Sequence, residues 1–194
     1  MKSFPTVLGT TNPGKVREWN AIMQEEQSYG APMVTCLDQK ETFLEVQSLD
    51  PILVALIKAL DAQRRCMQSI LIEDVSFGLR ALNGFPGTFF ASNERNIGNT
   101  GLLCLMAEKQ DRHAIATNII AFANDVGTLV SVARCDVHGT MPTEERGENG
   151  CGFDTIFIPD GYHQTYAEMT SAQKNQISMR RGAIRLLLKG DLQT

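Results

Sequence analysis

The sequence has no long apolar run and no excess of positive charge. No stretch of the 194 residues is apolar for long enough to span a membrane, and the opening MKSFPTVLGTTN is not a signal peptide. The formal net charge of -4 argues against a nucleic-acid backbone or an anionic membrane as the main partner. We therefore expect a cytoplasmic protein that acts on neither nucleic acid nor membrane.

Cysteine pairs at metal-ligand spacing are also missing. No CxxC occurs, and the three histidines lie far from the cysteines in sequence, so we do not expect a structural zinc site. The odd, scattered set of thiols is typical of a cytosolic protein with reduced cysteines. The five are Cys36, Cys66, Cys104, Cys135 and Cys151.

Apolar periodicity predicts one domain, residues 1–194, in which strands and helices alternate. The 43% hydrophobic content suffices for a core, and no repeat or low-complexity linker interrupts the chain. Strands are predicted at 4–9, 32–37, 69–72 and 155–158, and a hairpin at 114–124 and 128–137. Helices are predicted at 15–26, 51–67, 100–109 and 171–188, with a loop at 142–152. The order indicates a mixed α/β fold.

The loop TTNPGK follows the first predicted strand and precedes the first predicted helix. Thr10 and Asn12 offer small polar side chains, and Lys15 offers a point charge, beside the helix N-terminus. Such a set can hold phosphate oxygens, although the GxxxxGK[ST] spacing of a P-loop is absent. The alternative is an ordinary capped turn.

An acidic pair, Glu73 and Asp74, closes the predicted strand at 69–72. Together with Glu45 upstream, carboxylates at a strand end suit a Mg²⁺ ion bridged to substrate phosphates and an activated water. The alternative is a solvated turn with two surface acids. Lys58 lies on an otherwise apolar helix face, where a lysine that extends its amine to solvent is the alternative to a phosphate ligand.

Two segments near the C-terminus, NGCGFDTIFIPDGYHQTYAEM and KNQISMRR, combine glycines, aromatics and charges. The glycines allow close approach of a planar ligand, Phe153 can stack on it and Asp154 can accept a base hydrogen bond. Lys174, Ser178 and Arg180 are predicted on one face of a single helix. The alternative is a turn followed by a charged amphipathic helix.

In order along the chain, four segments resemble the inosine triphosphate pyrophosphatases, also called non-canonical purine NTP pyrophosphatases. VLGTTNPGKVRE resembles the family pattern T-x-N-x-x-K-x-x-E, and LIEDVSFGLRALNGFPG resembles its acidic strand end followed by A-L-x-G-x-P-G. CGFDTIFIPDGYHQTYAEM resembles G-aromatic-D…F-x-P-x-G-Y…T-x-A-E-M, and KNQISMRRGAIRLL resembles K-N-x-I-S-H-R-x-x-A.

The resemblance implies hydrolysis of a nucleoside triphosphate between the α- and β-phosphorus, with Mg²⁺ or alternatively Mn²⁺. It implies that Asp74 and Lys15 act in catalysis, with Asp74 orienting or deprotonating the attacking water. The implied metal ligands are Glu45, Glu73 and Asp74. The implied phosphate ligands are Thr10, Asn12, Lys15 and Lys58. The implied nucleoside contacts are Cys151, Phe153, Asp154, Lys174, Ser178, Met179 and Arg180.

The resemblance also implies a fold and an assembly. The family fold is an elongated, twisted mixed sheet flanked by helices, in two lobes with a central substrate cleft. Most members are homodimers, so we expect a homodimer whose small-molecule partner is the nucleoside triphosphate.

This chain departs from the family pattern at positions that the resemblance assigns to recognition of the nucleobase. Cys151 stands where phenylalanine is usual and Met179 where histidine is usual, and Thr155 replaces a common proline. Residues 90–92 lack the basic residue commonly found there. Loss of a stacking aromatic costs about 1–3 kcal/mol. We therefore expect the chemistry to be kept and the base preference to be altered.

Two other functions remain open from sequence. A Maf-type nucleotide pyrophosphatase usually opens with S-x-S-P-R-R, which TTNPGK does not match. A nucleotide-binding protein that does not hydrolyse its ligand has less need for carboxylates beside the phosphates, and this chain keeps Glu45, Glu73 and Asp74.

Overall fold

The protein is a mixed α/β fold. This computed structural model describes residues 7–10, 12–26, 33–37, 42–127 and 129–191; the predicted strand residues 4–6 and 32 and the hairpin residue 128 lie outside them. The helices are α1 (Pro13–Glu25), α2 (Pro51–Cys66), α3 (Phe90–Asn96), α4 (Gly98–Leu105), α5 (Ser171–Ile177) and α6 (Met179–Lys189). The strands are β1 (Val7–Leu8), β2 (Thr35–Cys36), β3 (Ile70–Leu79), β4 (Pro86–Gly87), β5 (His113–Ala123), β6 (Leu129–Thr140) and β7 (Ile158–Pro159).

The strands form one sheet in the order β2-β1-β3-β5-β6-β7, with β4 paired to β3. β1 runs parallel to β2 and β3, whereas β4 and β7 run antiparallel to β3 and β6. The sheet is therefore mixed, as predicted. The predicted hairpin partners, β5 and β6, are neighbours, and the N–H of Gly127 donates to the carbonyl of Asn124 in the turn between them.

The chain divides into two compact units. The first unit comprises Met1–Asp74, Asn118–Cys135 and Arg180–Thr194, and the second comprises Val75–Thr117 and Asp136–Met179. Each has a buried apolar core of its own, centred on Trp19 and Leu71 in the first and on Phe77 and Phe157 in the second. Among the described residues no helix has the length and apolar character needed to cross a membrane.

Helices α1 and α2 begin and end close to their predicted bounds, because residues at their N-termini favour a helix start. Both helices begin with a proline in the first turn, where a missing backbone N–H costs nothing. Asn12 caps α1 by accepting the Gly14 N–H at 2.8 Å, and Asp50 caps α2 in the same way. Trp19 is among the residues that α1 buries.

Strand β3 does not end at the acidic pair. It runs from Ile70 to Leu79, so Glu73 and Asp74 lie in its middle rather than at its carboxyl end. The alternation of apolar side chains continues past the acids, because Phe77 and Leu79 are fully buried. The predicted strand end is therefore wrong.

Two predictions near the C-terminus are also wrong. Of the predicted strand at 155–158, the first two residues end a 3-10 turn, Gly152–Ile156, and only Ile158 lies in a strand, β7; the turn begins at a glycine with φ of 64°. The helix at 171–188 is divided into α5 and α6 by Ser178, whose φ of -72° and ψ of 149° are extended. Lys174 and Arg180 therefore belong to different helices and share no single helix face.

Candidate functional site

The loop between β1 and α1 is held by its own polar side chains. The hydroxyl of Thr10 accepts the Asn12 N–H at 3.1 Å, and the Asn12 amide oxygen caps α1. The N–H of Gly9 donates to the carbonyl of Leu71 at 2.7 Å, which fixes the loop against β3. The capped turn considered from sequence is thus present, and it presets the positions of Thr10 and Asn12.

Glu73 is enclosed by hydrogen-bond donors in the first unit. Glu73 is only 6% exposed. The Trp19 indole N–H donates to one carboxylate oxygen, and the Asn118 amide donates to the other at 2.8 Å. Arg180 donates to that second oxygen through Nε at 3.0 Å and Nη2 at 2.6 Å, and its Nη1 pairs with Glu18. Glu73 thus ties α1, β5 and α6 to β3.

Charge keeps this group ionised despite its burial. Burial alone would raise the pKa of Glu73, but the charges of Arg180 and Lys15 and the bonds from Arg180 and Trp19 lower it to about 2. Burial would likewise lower the pKa of Arg180, whereas Glu73 and Glu18 raise it above its ordinary value. Glu73 and Arg180 therefore form a buried ion pair at neutral pH, and Lys15 lies close enough for its charge to act on Glu73.

Lys58 bridges two of the predicted carboxylates. Its Nζ lies 2.5 Å from Glu45 Oε1 and 2.8 Å from Asp74 Oδ1. Burial opposes the lysine's charge, but Asp74 and Glu45 raise its pKa above the ordinary value, so it stays protonated. Asp74 Oδ2 is buried and has no hydrogen-bond partner among the residues that the structure describes. Such an oxygen is costly unless a ligand occupies it.

The structure brings together two of the three predicted metal ligands. Glu45 and Asp74 meet at Lys58, whereas Glu73 precedes Asp74 on a strand, so its side chain points to the opposite face. Within the described part of the chain, no three His, Cys, Asp or Glu side chains are grouped closely enough to hold a metal. Mg²⁺ commonly uses one or two carboxylates with waters and substrate phosphates. Glu45 and Asp74, with the unpartnered Oδ2, fit that requirement.

In the second unit, Asp154 orders the glycine-rich turn. It is 2% exposed, and its Oδ2 accepts the Cys151 N–H at 2.8 Å and the Lys174 ammonium at 2.8 Å. The Lys174 ammonium also lies 5.6 Å from the centre of the Tyr166 ring, within the range of a cation–π contact. Three predicted base-site residues are thus neighbours, with Cys151 exposed.

Asn99 braces the same turn and was not predicted from sequence. Its amide donates to the carbonyl of Gly152 at 2.8 Å and to the hydroxyl of Thr155 at 3.0 Å. Thr155 in turn donates to Glu145 at 2.8 Å. Nothing in the sequence marks Asn99, which stands between a glycine and a threonine at the start of α4.

Three residues predicted around the nucleoside have side chains that are buried within the protein. Phe153 is 4% exposed and its ring stacks on Phe77, with centroids 4.8 Å apart and 14° between planes. Met179 is 3% exposed in the same core cluster. Arg180 belongs to the first unit and pairs with Glu73. These side chains pack within the protein, and their contact with a nucleoside stays a prediction; Ser178, also predicted there, is buried.

Replacing Gly150 with alanine should disrupt the Asp154 contacts. Gly150 has φ of 78°, and an added Cβ would lie 2.0 Å from Asp154 Oδ2. Gly161 is a matched control, because its φ of 84° imposes the same backbone strain and nothing lies within 4 Å of its added Cβ. Gly161→Ala should cost about 1–2 kcal/mol of unfolding free energy. Gly150→Ala should cost measurably more in urea titration, and equal losses would contradict the clash.

A mixed sheet, a lysine-bridged carboxylate pair and an acid-ordered glycine turn characterise the chain. It belongs to the Ham1 family, whose model matches residues 6–190. A dITP/XTP pyrophosphatase of Hyperthermus butylicus is 34% identical over 189 residues, covering 97% of this chain and 95% of that protein. Inosine triphosphate pyrophosphatase 2 of Trypanosoma cruzi is 34% identical, covering 91% and 87%. The family resemblance found from the motifs is thus confirmed.

Solved structures confirm the fold. The Ham1 protein of Staphylococcus aureus superposes with a TM-score of 0.78 at 28% identity, covering 95% of this chain and 96% of that one. A HAM1 protein of Coxiella burnetii gives a TM-score of 0.79 at 26% identity, with the same coverage.

Proposed function

We infer that this protein hydrolyses non-canonical nucleoside triphosphates, of the ITP, dITP or XTP class, to the monophosphate and pyrophosphate. Water adds to the α-phosphorus, and the bond from the α-phosphorus to the oxygen that bridges it to the β-phosphorus breaks. The observation that carries this inference is Asp74, whose Oδ1 is held by Lys58 and whose buried Oδ2 has no partner in the described part of the chain. The names of the relatives support the substrate class.

The first unit supplies the groups that a triphosphate requires. Lys15 and Lys58 offer positive charge, and Thr10 and Asn12 offer small polar groups at the start of α1. Because the loop is fixed by its own hydrogen bonds, little ordering cost accompanies phosphate binding. When phosphates bind, Lys58 can exchange one carboxylate for a phosphate oxygen.

Asp74 is assigned to the attacking water. Its carboxylate can accept a hydrogen bond from that water and take a proton as the bond to phosphorus forms. Glu45 and Asp74 would hold Mg²⁺, with Mn²⁺ as the alternative; when bound, the ion neutralises charge on the phosphates. Glu73, proposed from the family pattern as a third ligand, is engaged by Arg180 and Asn118 and contributes by fixing β3 beside Asp74.

The second unit is assigned to the nucleoside. Cys151 and the backbone of its glycine-flanked turn would approach the base, with Asp154, Lys174 and Ser178 beside them. Phe153 and Met179 shape this region from the core. A thiol in place of the usual aromatic side chain reduces stacking on the base, so we expect weaker discrimination among bases than an aromatic side chain would give.

Two further parts of the proposal have other grounds. Assembly as a homodimer rests on the family resemblance alone, and a location in the cytoplasm rests on the sequence, with its scattered cysteines and its lack of a long apolar run. The Maf-type alternative has no support in the comparisons, since the family whose model spans residues 6–190 is Ham1.

Pyrophosphate release across a nucleotide panel tests the function. With Mg²⁺ present, kcat/KM for ITP, dITP or XTP should exceed that for ATP and GTP at least tenfold, about 1.4 kcal/mol in transition-state binding. A preference for another triphosphate would contradict the substrate class and implicate the Cys151 turn in specificity. No release from any nucleotide, with binding retained in calorimetry, would favour a non-hydrolysing binding protein.

A further inference from the structure

Two histidines on neighbouring strands of the second unit face each other at the protein surface. His113 is the first residue of β5 and His138 lies near the end of β6. Nε2 of His113 is 3.2 Å from Nδ1 of His138, and the ring centroids are 5.3 Å apart at a tilt of 32°. Neither residue belongs to the proposed catalytic or nucleotide-binding groups.

A separation of 3.2 Å is that of an N–H···N hydrogen bond between the two imidazoles, and it also allows both nitrogens to bind one metal ion in place of the shared proton. A Zn²⁺ ion binds imidazole nitrogen at about 2.0–2.1 Å, and two nitrogens 3.2 Å apart then subtend roughly 100° at the ion. That angle lies between the octahedral and the tetrahedral value. We propose that His113 and His138 form a two-histidine site for a borderline divalent ion such as Zn²⁺, Ni²⁺ or Cu²⁺.

The backbone on both sides of the pair is fixed. The N–H of His113 donates to Asp111 Oδ1 at 3.0 Å, and the N–H of Asp160 donates to the carbonyl of His138 at 3.0 Å. Asp111 is itself held by Arg80 through bonds of 2.5 and 3.0 Å. The ion would therefore find its two ligands already positioned, with little ordering cost.

The surroundings leave space for the remaining ligands of an ion. His113 lines a concavity of about 400 Å³, and His138 is exposed. The other lining residues are Gly78, Arg80, Asn83, Gly84 and Ile115. With two protein ligands and water completing the shell, the site is open and exchangeable rather than a closed structural centre.

Ligand chemistry separates this site from the proposed Mg²⁺ site. Imidazole prefers Zn²⁺, Cu²⁺ and Ni²⁺, whereas Mg²⁺ prefers carboxylate, carbonyl and water oxygens. The histidine pair lies in the second unit, and the carboxylates bridged by Lys58 lie in the first. Excess Mg²⁺ should therefore not displace an ion from the histidines.

Calorimetric titration of NiCl₂ into tag-free protein, with excess Mg²⁺ present, tests the site. We expect one Ni²⁺ per chain, and His113→Gln or His138→Gln should each weaken its binding at least tenfold. His163→Gln is the matched control, because the third histidine lies in a surface segment of the same unit. It should bind Ni²⁺ as the wild type does, and pyrophosphatase activity without Ni²⁺ should be unchanged in all three variants.

A second readout does not depend on any substitution. Zn²⁺ is diamagnetic, so its titration should shift the imidazole proton resonances of two histidines together and leave the third in place. Unchanged Ni²⁺ affinity in both glutamine variants, no saturable binding to the wild type, or binding that disappears with Cys104→Ser would each overturn the proposal. The last outcome would assign the ion to an exposed thiol.

Discussion

Asp74→Asn should lower kcat by about 10²–10⁴-fold, the range lost when a positioned general base is removed. Asparagine keeps the size of the side chain and an oxygen that can accept from Lys58, so the fold and the Lys58 ammonium stay in place. It cannot take a proton from water, and it carries no charge for the metal. Nucleotide affinity, measured by calorimetry, should be unchanged or higher, because Lys58 loses a competing carboxylate.

Asp50→Asn is the matched control for this substitution. Asp50 caps α2 in the same unit, and asparagine caps helices about as well as aspartate. Its kcat should stay within about twofold of the wild type, since surface changes of this kind are nearly neutral. If Asp74→Asn released pyrophosphate at the wild-type rate, Asp74 would have no part in the mechanism, whichever substrate the panel identifies.

The helices that carry the proposed phosphate-binding residues were predictable because their signals are local. Asn12 before Pro13, and Asp50 before Pro51, mark helix starts within a few residues of chain. The apolar spacing that follows each start identifies the face that packs inward. Lys15 and Lys58 were therefore assigned to the correct elements from sequence alone.

The environment of Glu73 was not predictable because its partners are distant in sequence. Arg180 is 107 residues away and Trp19 is 54 residues away. From sequence, two adjacent acids after an apolar run indicate a surface turn, since carboxylates are rarely buried without partners. Only the folded chain brings the partners that allow β3 to continue through Glu73.

The burial of two predicted base-site residues was not predictable for a similar reason. Spacing identifies Phe153 and Met179 as members of a motif but does not tell which face of a turn reaches the core. The break at Ser178 has no glycine or proline to announce it, so one helix was predicted where α5 and α6 lie. Asp154 and Lys174, which the motifs group with Cys151 around the nucleoside, lie beside it in the fold.

Glu73→Gln should destabilise the protein by about 3–5 kcal/mol, the cost of removing one partner of a buried ion pair. Glutamine can still accept hydrogen bonds, but it leaves the buried charge of Arg180 without its main counter-ion. Its N–H group also faces the Asn118 and Trp19 side chains, which are themselves donors. Arg65→Gln is the control, because the Arg65–Asp61 pair is exposed and worth about 0–1 kcal/mol. Urea unfolding at pH 7 measures both.

The acid dependence of stability distinguishes lost charge from lost packing. The pKa of Glu73 is about 2 in the folded protein and 4.5 ordinarily, so its ionised form stabilises the fold fully above pH 4.5. That contribution is lost as the pH falls from 4.5 toward 2, where the folded carboxylate takes up a proton. In Glu73→Gln this part of the acid dependence should vanish, and the two unfolding free energies should converge as the pH approaches 2. A constant gap between them from pH 7 to 3 would mean that the substitution acts through packing rather than through the charge of the pair.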